Sequence, residues 1–369
     1  MVGTRLARDG EAQGYSWLAA QLRQAILGGA FRVGDSLPPT KQLGAEYGVS
    51  AETARRAAKR LEGEGLVASE PRQGFRVLAR GNDPERGLPI AFVVAAAEEP
   101  GLWDEFTRLL FACLQKAALD RGWSMLAVGT GRRPGREVME QLRDCRACGM
   151  VLDSMNVGLL AAVEGMGLPA VMMDAWEPEM RLDAVVQDSF QGALVATRYL
   201  ISRGHKRIGW LGRIAESVQS QERFGGVSAA LAAAGLKARS EFMLDTPWQE
   251  TAQAARRLLA RSDRPTAVLG LWHDAASELV RTAVELGLEP GNEVGIVGWT
   301  AEEQYDSVYR MGFNGAALPP TMVWSIAELA RMTVARLAER RVRPEMPPTL
   351  IKVPARLRLG EAPKKEAGK

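Results

Sequence analysis

From Tyr15 the chain places Leu18, Leu22 and Ile26 at i, i+4 and i+8 with Ala19 and Ala25 beside them, a spacing that predicts a helix ending at Gly28-Gly29. The 14 residues before it have no apolar period and read as a disordered leader. Gly34-Asp35 marks a turn, Pro38-Pro39 opens a short helix through Tyr47, and Gly48 closes it. Ser50 supplies an N-cap for a third helix, with Thr53 where a full capping box would have Glu, and Gly63 and Gly65 end it. Along that helix Ala54, Ala57, Ala58 and Leu61 form an inward stripe while Arg55, Arg56, Lys59 and Arg60 point outward. LVAS and FRVLA then read as a hairpin with a basic tip at Arg72. A charged linker follows at 80–88, separating a small domain at 15–79 from a larger one at 89–360, with a disordered tail at 361–369.

Beyond Leu88 the pattern changes to short apolar runs separated by helical stretches. IAFVVAAA (90–97), SMLAVGT (124–130), GMVLDS (149–154), PAVMMDA (169–175) and AVVQD (184–188) come first. RIGWLG (207–212), TAVLGLW (266–272) and VGIVGW (294–299) follow, with helices such as 103–120 and 251–261 between runs. Strands alternating with helices imply parallel sheets covered on both faces. So long a segment exceeds one doubly wound sheet and predicts two α/β lobes, with a first crossover near 187 and return crossovers near 318–326.

Charge sharpens this division. Residues 1–80 hold 12 Lys+Arg against 8 Asp+Glu, leaving 35 against 36 for the rest, so the basic excess sits where a nucleic-acid-binding module is expected. No apolar run is long enough to span a membrane and no secretory segment is recognisable, which predicts a cytoplasmic protein with no membrane partner. Cys113, Cys145 and Cys148 are too few for a disulfide framework. The CxxC of Cys145 and Cys148 lacks a second ligand pair, so it reads as a helix end feeding a strand, and no metal or cofactor is expected. No Ser/His/Asp arrangement or phosphate-binding loop stands at a workable spacing, so catalysis is not indicated.

GDSLPPTKQL, GVSAETARR and LEGEGLVASEPRQG together resemble the winged helix-turn-helix of the GntR family. The resemblance implies that Lys41 grips phosphate or base, Ser50 bonds a phosphate, Thr53 faces the major groove and Arg55 reaches a base edge or phosphate. It places Gln73 and Gly74 of the wing in the minor groove beside Arg72. The position after the turn, often arginine in the family, is Ala51, which shifts weight to Arg55 and Arg56.

DSFQGALVATRYLISRGHKRIGWLG, SQERFGGVSAALAAAGL and RPTAVLGLWHDAASELVRTAVELGLEPGNEVGIVGW resemble the effector domain of the LacI/GalR family, related in fold to periplasmic sugar-binding proteins. The expected fold is therefore α/β, a small winged helix-turn-helix head plus a two-lobed periplasmic-binding-protein-like domain. A GntR-type head on a LacI-type sensor is similar in layout to the arabinose repressors of Gram-positive bacteria. The resemblance implies a ligand in the cleft between lobes, with Asp174 as a contacting carboxylate, Arg223 as a clamp and Trp248 as a stacking aromatic. Each also has an ordinary reading: Asp174 could cap the next segment, Arg223 could pair with Glu222, and Trp248 could belong to the core. Trp272-His273-Asp274 and Thr300 stand where the family usually has Asn-Asp and an acidic residue, departures that argue against a sugar and leave open a less polar or anionic ligand. His273 could contact a ligand or be an ordinary strand-end residue.

The whole reads as a ligand-responsive transcriptional regulator, a repressor that binds double-stranded palindromic operator DNA as a homodimer and takes a sugar or other small-molecule effector. Dimer contacts are expected on the helices beginning near Trp103 and at 275–286. The alternative is a constitutive DNA-binding protein whose sensor domain is only a dimerisation scaffold.

Overall fold

The computed structural model describes residues 14–27, 30–31, 34–63, 66–70, 74–77, 88–95, 100–131, 133, 135–153, 157–176 and 181–361. The leader to residue 13, Arg72 and Gln73 at the wing tip, the linker at 80–87 and the tail from 362 lie outside the described residues. The chain divides into two units, 1–87 and 88–369.

In the first unit, helix α1 (Tyr15–Leu27) buries Leu18, Leu22 and Ile26 completely, the three residues whose spacing predicted it. Helix α2 (Thr40–Tyr47) stops at Gly48, whose φ of 69° turns its N–H back onto the carbonyl of Gly44. A Cβ at Gly44 would stand 2.7 Å from the Val49 carbonyl oxygen, so the turn into the next helix closes this tightly because residue 44 has no side chain. Helix α3 (Ala51–Gly63) begins at Ser50, whose Oγ accepts from the Thr53 N–H at 3.0 Å. Its inward alanines, 54, 57 and 58, are fully buried and let α3 lie close on α1 and α2. Strands β1 (Val67–Glu70) and β2 (Gly74–Val77) pair antiparallel with Val67 opposite Val77, and the Leu37 N–H donates to the Phe75 carbonyl at 2.7 Å, binding the wing to the loop before α2.

The second unit alternates β3 (Ile90–Val94), α4 (Glu105–Leu119), β4 (Met125–Gly129), α5 (Gly135–Asp144), β5 (Gly149–Asp153), α6 (Val157–Glu164), β6 (Ala170–Met173) and β7 (Asp183–Gln187). It continues through α7 (Ser189–Ser202), β8 (Ile208–Leu211), α8 (Val218–Ala233), β9 (Met243–Leu244), α9 (Thr251–Leu259), β10 (Ala267–Gly270), α10 (His273–Glu285) and β11 (Gly295–Ala301). After short helical turns come β12 (Thr321–Trp324), α11 (Ile326–Val342), β13 (Leu350–Val353) and β14 (Arg356–Arg358). Two six-stranded sheets result, ordered β4-β3-β5-β6-β7-β13 and β9-β8-β10-β11-β12-β14. The first is parallel throughout; in the second, β14 runs antiparallel to β12, an edge strand that the expectation of purely parallel sheets did not include.

Strands β3, β5 and β7 are buried along their whole length, which is why apolar residues follow one another without alternation in β3, before Asp153 in β5, and between Asp183 and Gln187 in β7. Ile90, Phe92 and Val94 pack toward α4 and α11 while Ala91 and Val93 face the α5–α6 layer. The chain passes from the first sheet to the second after β7, returns between β12 and α11, and crosses a third time between β13 and β14. Cys145 follows α5 and Cys148 precedes β5, with their thiols on the carbonyls of Leu142 and Leu88. A buried ion group, Asp183 with Arg336 and Arg340 at 2.8 Å each, fastens α11 to the start of β7. Among the described residues no helix is long and apolar enough to cross a membrane.

Candidate functional site

In each lobe the strand order reverses at one point, beside β3 in the first sheet and beside β8 in the second. Open parallel sheets bind ligands outside the carboxyl ends of strands at such points. A cleft of about 840 Å³ opens there in the second unit. The first lobe contributes Ala95 after β3, Asp153 at the end of β5 and Asp174 after β6; the second contributes Trp272 after β10, Trp299 and Thr300 in β11, and Trp324 at the end of β12.

Six of the seven residues expected at an effector site line this cleft: Asp174, Trp248, Trp272, His273, Asp274 and Thr300. Trp248 is 66% exposed at the rim, not a core residue. His273 and Asp274 open α10, with His273 Nε2 3.1 Å from the Asp274 carboxylate. Thr300 is 4% exposed, and its Oγ1 finds no hydrogen-bond partner among the described residues.

Arg223 is the exception. It is 1% exposed and does not line the cleft, because its guanidinium lies 3.9 Å from the ring centres of both Trp272 and Trp299, packed between the indoles. Its Nη atoms donate to the Leu271 carbonyl at 2.5 Å and to Gln187 Oε1 at 2.6 Å. Glu222, the alternative partner weighed for Arg223, instead receives Lys352 at 2.6 Å. Gln187, which sequence reasoning passed over, also accepts from Trp299 Nε1 at 2.8 Å and donates to Asp174 Oδ1 at 2.9 Å. A side chain at Gly192 would meet the Trp299 ring at 2.5 Å, so that glycine in the first turn of α7 gives the indole its place.

Asp174 holds a left-handed backbone, φ 51°, which aspartate tolerates better than most residues. Burial pushes its carboxyl up to about 6, against the opposing pull of the Gln187 hydrogen bond and the Arg223 charge. Gln219, also in the cleft wall, donates to the Asp174 carbonyl. Asp104 lines the cleft while its Oδ1 caps α4 through the Thr107 N–H at 2.7 Å. Asp153, Trp103, Trp299 and Trp324 complete the set that sequence reasoning missed. The usable signal was position: Asp153 and Trp299 stand at or near the ends of strands that the apolar pattern had already marked.

The first unit presents the other candidate surface. Lys41, Ser50, Arg55 and Arg56 are exposed and Thr53 is half-buried, its hydroxyl 2.8 Å from that of Ser50. Arg55 is held by Glu52 at 3.0 Å, and Arg56 lies 4.6 Å over the Tyr15 ring. Gly74 opens β2 with φ 88°, a conformation that favours glycine at a hairpin tip.

Comparison with known proteins matches each of the two units to a family. A family model described as bacterial regulatory proteins, gntR family, matches residues 15–77, and one described as periplasmic binding proteins and sugar binding domain of LacI family matches 88–311. The chain is 30% identical over 172 residues to the HTH-type transcriptional repressor PurR of Photobacterium profundum, covering 44% of this chain but only about half, 51%, of that repressor. It is 27% identical over 263 residues to the PurR repressor of Mannheimia succiniciproducens, covering 68% of this chain and 74% of the relative. A solved complex of the transcriptional regulator CelR with cellobiose shares the fold with a TM-score of 0.64 at 19% identity, over 96% of this chain and 100% of that one. With more than half its length matched by that second model, the chain belongs to the LacI family of periplasmic-binding-protein-like domains and carries a DNA-binding head of the GntR family.

Proposed function

We propose that the protein is a ligand-responsive transcriptional repressor: the winged head binds operator DNA, and the two-lobed unit takes a small-molecule effector and pairs two copies of the chain. The observation that carries the proposal is that the cleft is walled by both lobes, with Asp153 and Asp174 from one and Trp272, Asp274 and Thr300 from the other. A ligand touching both walls binds the open and closed arrangements unequally, and unequal binding is what allows it to shift an equilibrium. The name "transcriptional repressor" borne by the PurR relatives supports the direction of control. A constitutive DNA-binding protein with an idle scaffold would have no use for a roomy cleft lined by residues of both lobes.

In the winged head, on this proposal, Lys41 and Arg55 make phosphate or base contacts, Ser50 bonds a phosphate and Thr53 faces the groove, with Arg56 as a further contact. The test is fluorescence anisotropy of purified protein on duplexes from its own upstream region. Binding should be sequence-selective and weaken steeply with salt, and Lys41→Ala should lower affinity evenly across sequences. Absence of salt-dependent binding to every such duplex refutes the proposal.

A further inference from the structure

The cleft's charge is one-sided. Asp104, Asp153, Asp174 and Asp274 line it, and among its described lining residues there is one histidine and neither lysine nor arginine. The guanidinium that could have faced an anion, Arg223, is sealed behind Trp272 and Trp299. It does not line the cleft, and its hydrogen bonds go to Gln187, which in turn donates to Asp174, and to the Leu271 carbonyl.

The remaining wall combines aromatic residues with the neutral polar side chains of Thr107, Ser217, Gln219, Thr300 and Gln304. Trp103, Trp248 and Trp324 join Trp272 and Trp299, and Trp248 projects at the rim with two-thirds of its surface in solvent. Indole faces attract cations electrostatically and cover the apolar body of an amine, so carboxylates and indoles in one cleft select the same ligand chemistry. An anionic effector would meet four carboxylates. The Thr300 hydroxyl is buried and has no partner among the described residues.

We infer that the cleft takes an organic cation, an ammonium carried on an apolar or aromatic body, with Asp274 facing the charge and the indoles enclosing the body. The inference rests on the reading of this cleft as the effector site. It is tested on the full-length protein by calorimetric titration with three cations, choline, tryptamine and spermidine. The first two are matched with uncharged isosteres, dimethylbutanol and tryptophol, and ribose and cellobiose serve as sugar controls. Choline and tryptamine should each bind on the order of tenfold or more tighter than their isosteres, and Asp274→Asn should reduce that preference by about tenfold. Asp274 is exposed on the first turn of α10, so the variant keeps its fold, which thermal unfolding verifies. The inference is overturned if an isostere matches its cation, if a sugar binds tighter than all three cations, or if none of the cations binds at millimolar concentration. Operator binding measured on the same samples separates the two ideas: cation selectivity without DNA binding would leave this inference standing and remove the repressor.

Discussion

Replacing Asp174 by Asn should stabilise the protein near neutral pH while impairing its cleft. The folded-state carboxyl titrates at about 6 instead of the ordinary 3.8, because burial disfavours the charged form more than Gln187 and Arg223 favour it. A shift of this size corresponds to about 3 kcal/mol. The native state therefore binds more protons than the unfolded chain between these values. The stability this group adds is fully present below about pH 4 and lost as pH rises through about 6. Asparagine carries no proton to lose, accepts the same hydrogen bond from Gln187, and tolerates the left-handed backbone at φ 51°. Wild type should thus lose up to about 3 kcal/mol relative to Asp174→Asn across that window, leaving the variant several degrees higher in Tm near neutral pH. Eight of the nine tryptophans lie in the second unit, so urea unfolding followed by indole emission at stepped pH reads it directly. A difference curve that is flat from about pH 4 to neutrality, or a variant less stable than wild type at neutrality, refutes the reasoning.

Gly44→Ala forces a Cβ to 2.7 Å from the Val49 carbonyl and should destabilise the winged head by about 1–3 kcal/mol, read as lost head protection in hydrogen exchange with the second unit unaffected. Arg55→Ala should weaken operator binding by about 1–3 kcal/mol, since its exposed pairing with Glu52 is worth little in water and yields to a base or phosphate; unchanged affinity in a footprinting titration removes the assignment. Thr300→Val deletes a buried hydroxyl without a partner, so thermal unfolding should stay level or rise by about 1 kcal/mol while tryptamine binds more weakly. Trp248→Ala removes an exposed indole and should move stability by no more than about 0.5 kcal/mol, yet reduce the fluorescence quenching and affinity produced by tryptamine.

Strands buried on both faces were readable because their interior positions are apolar in succession, as in β3, in β5 before Asp153, and in β7 between Asp183 and Gln187. Three of the four edges were not, since β13 and β14 are half-exposed and β9 has two residues; nor was the inner strand β12, whose four residues follow a Pro-Pro pair that looks like a connection. Resemblance to the LacI/GalR effector domain located Asp174, Trp272 and Thr300, and strand-end position would have reached Asp153 and Trp324. Arg223 illustrates a deeper limit. An arginine beside a cleft reads as a ligand clamp, and only tertiary packing reveals that two indoles distant in sequence occupy both of its faces.

That packing joins the chemistry of the cleft to the joint between lobes. Gln187 ends β7, the last strand before the chain enters the second lobe, and its carbonyl oxygen accepts from Arg223 and Trp299, both belonging to that lobe. With the oxygen turned to those two donors, its amide N–H can point only the other way, toward Asp174 in the cleft. Whatever binds Asp174 competes for the acceptor that Gln187 uses, and any reorientation of Gln187 leaves the buried Arg223 and the Trp299 N–H short of a partner. Leaving such groups unpaired in a dry interior costs about 1–3 kcal/mol each, comparable with the coupling energies by which effectors change affinity. One residue thus separates the cleft from the crossover, and no long relay is required for occupancy at Asp174 to bias how the lobes meet.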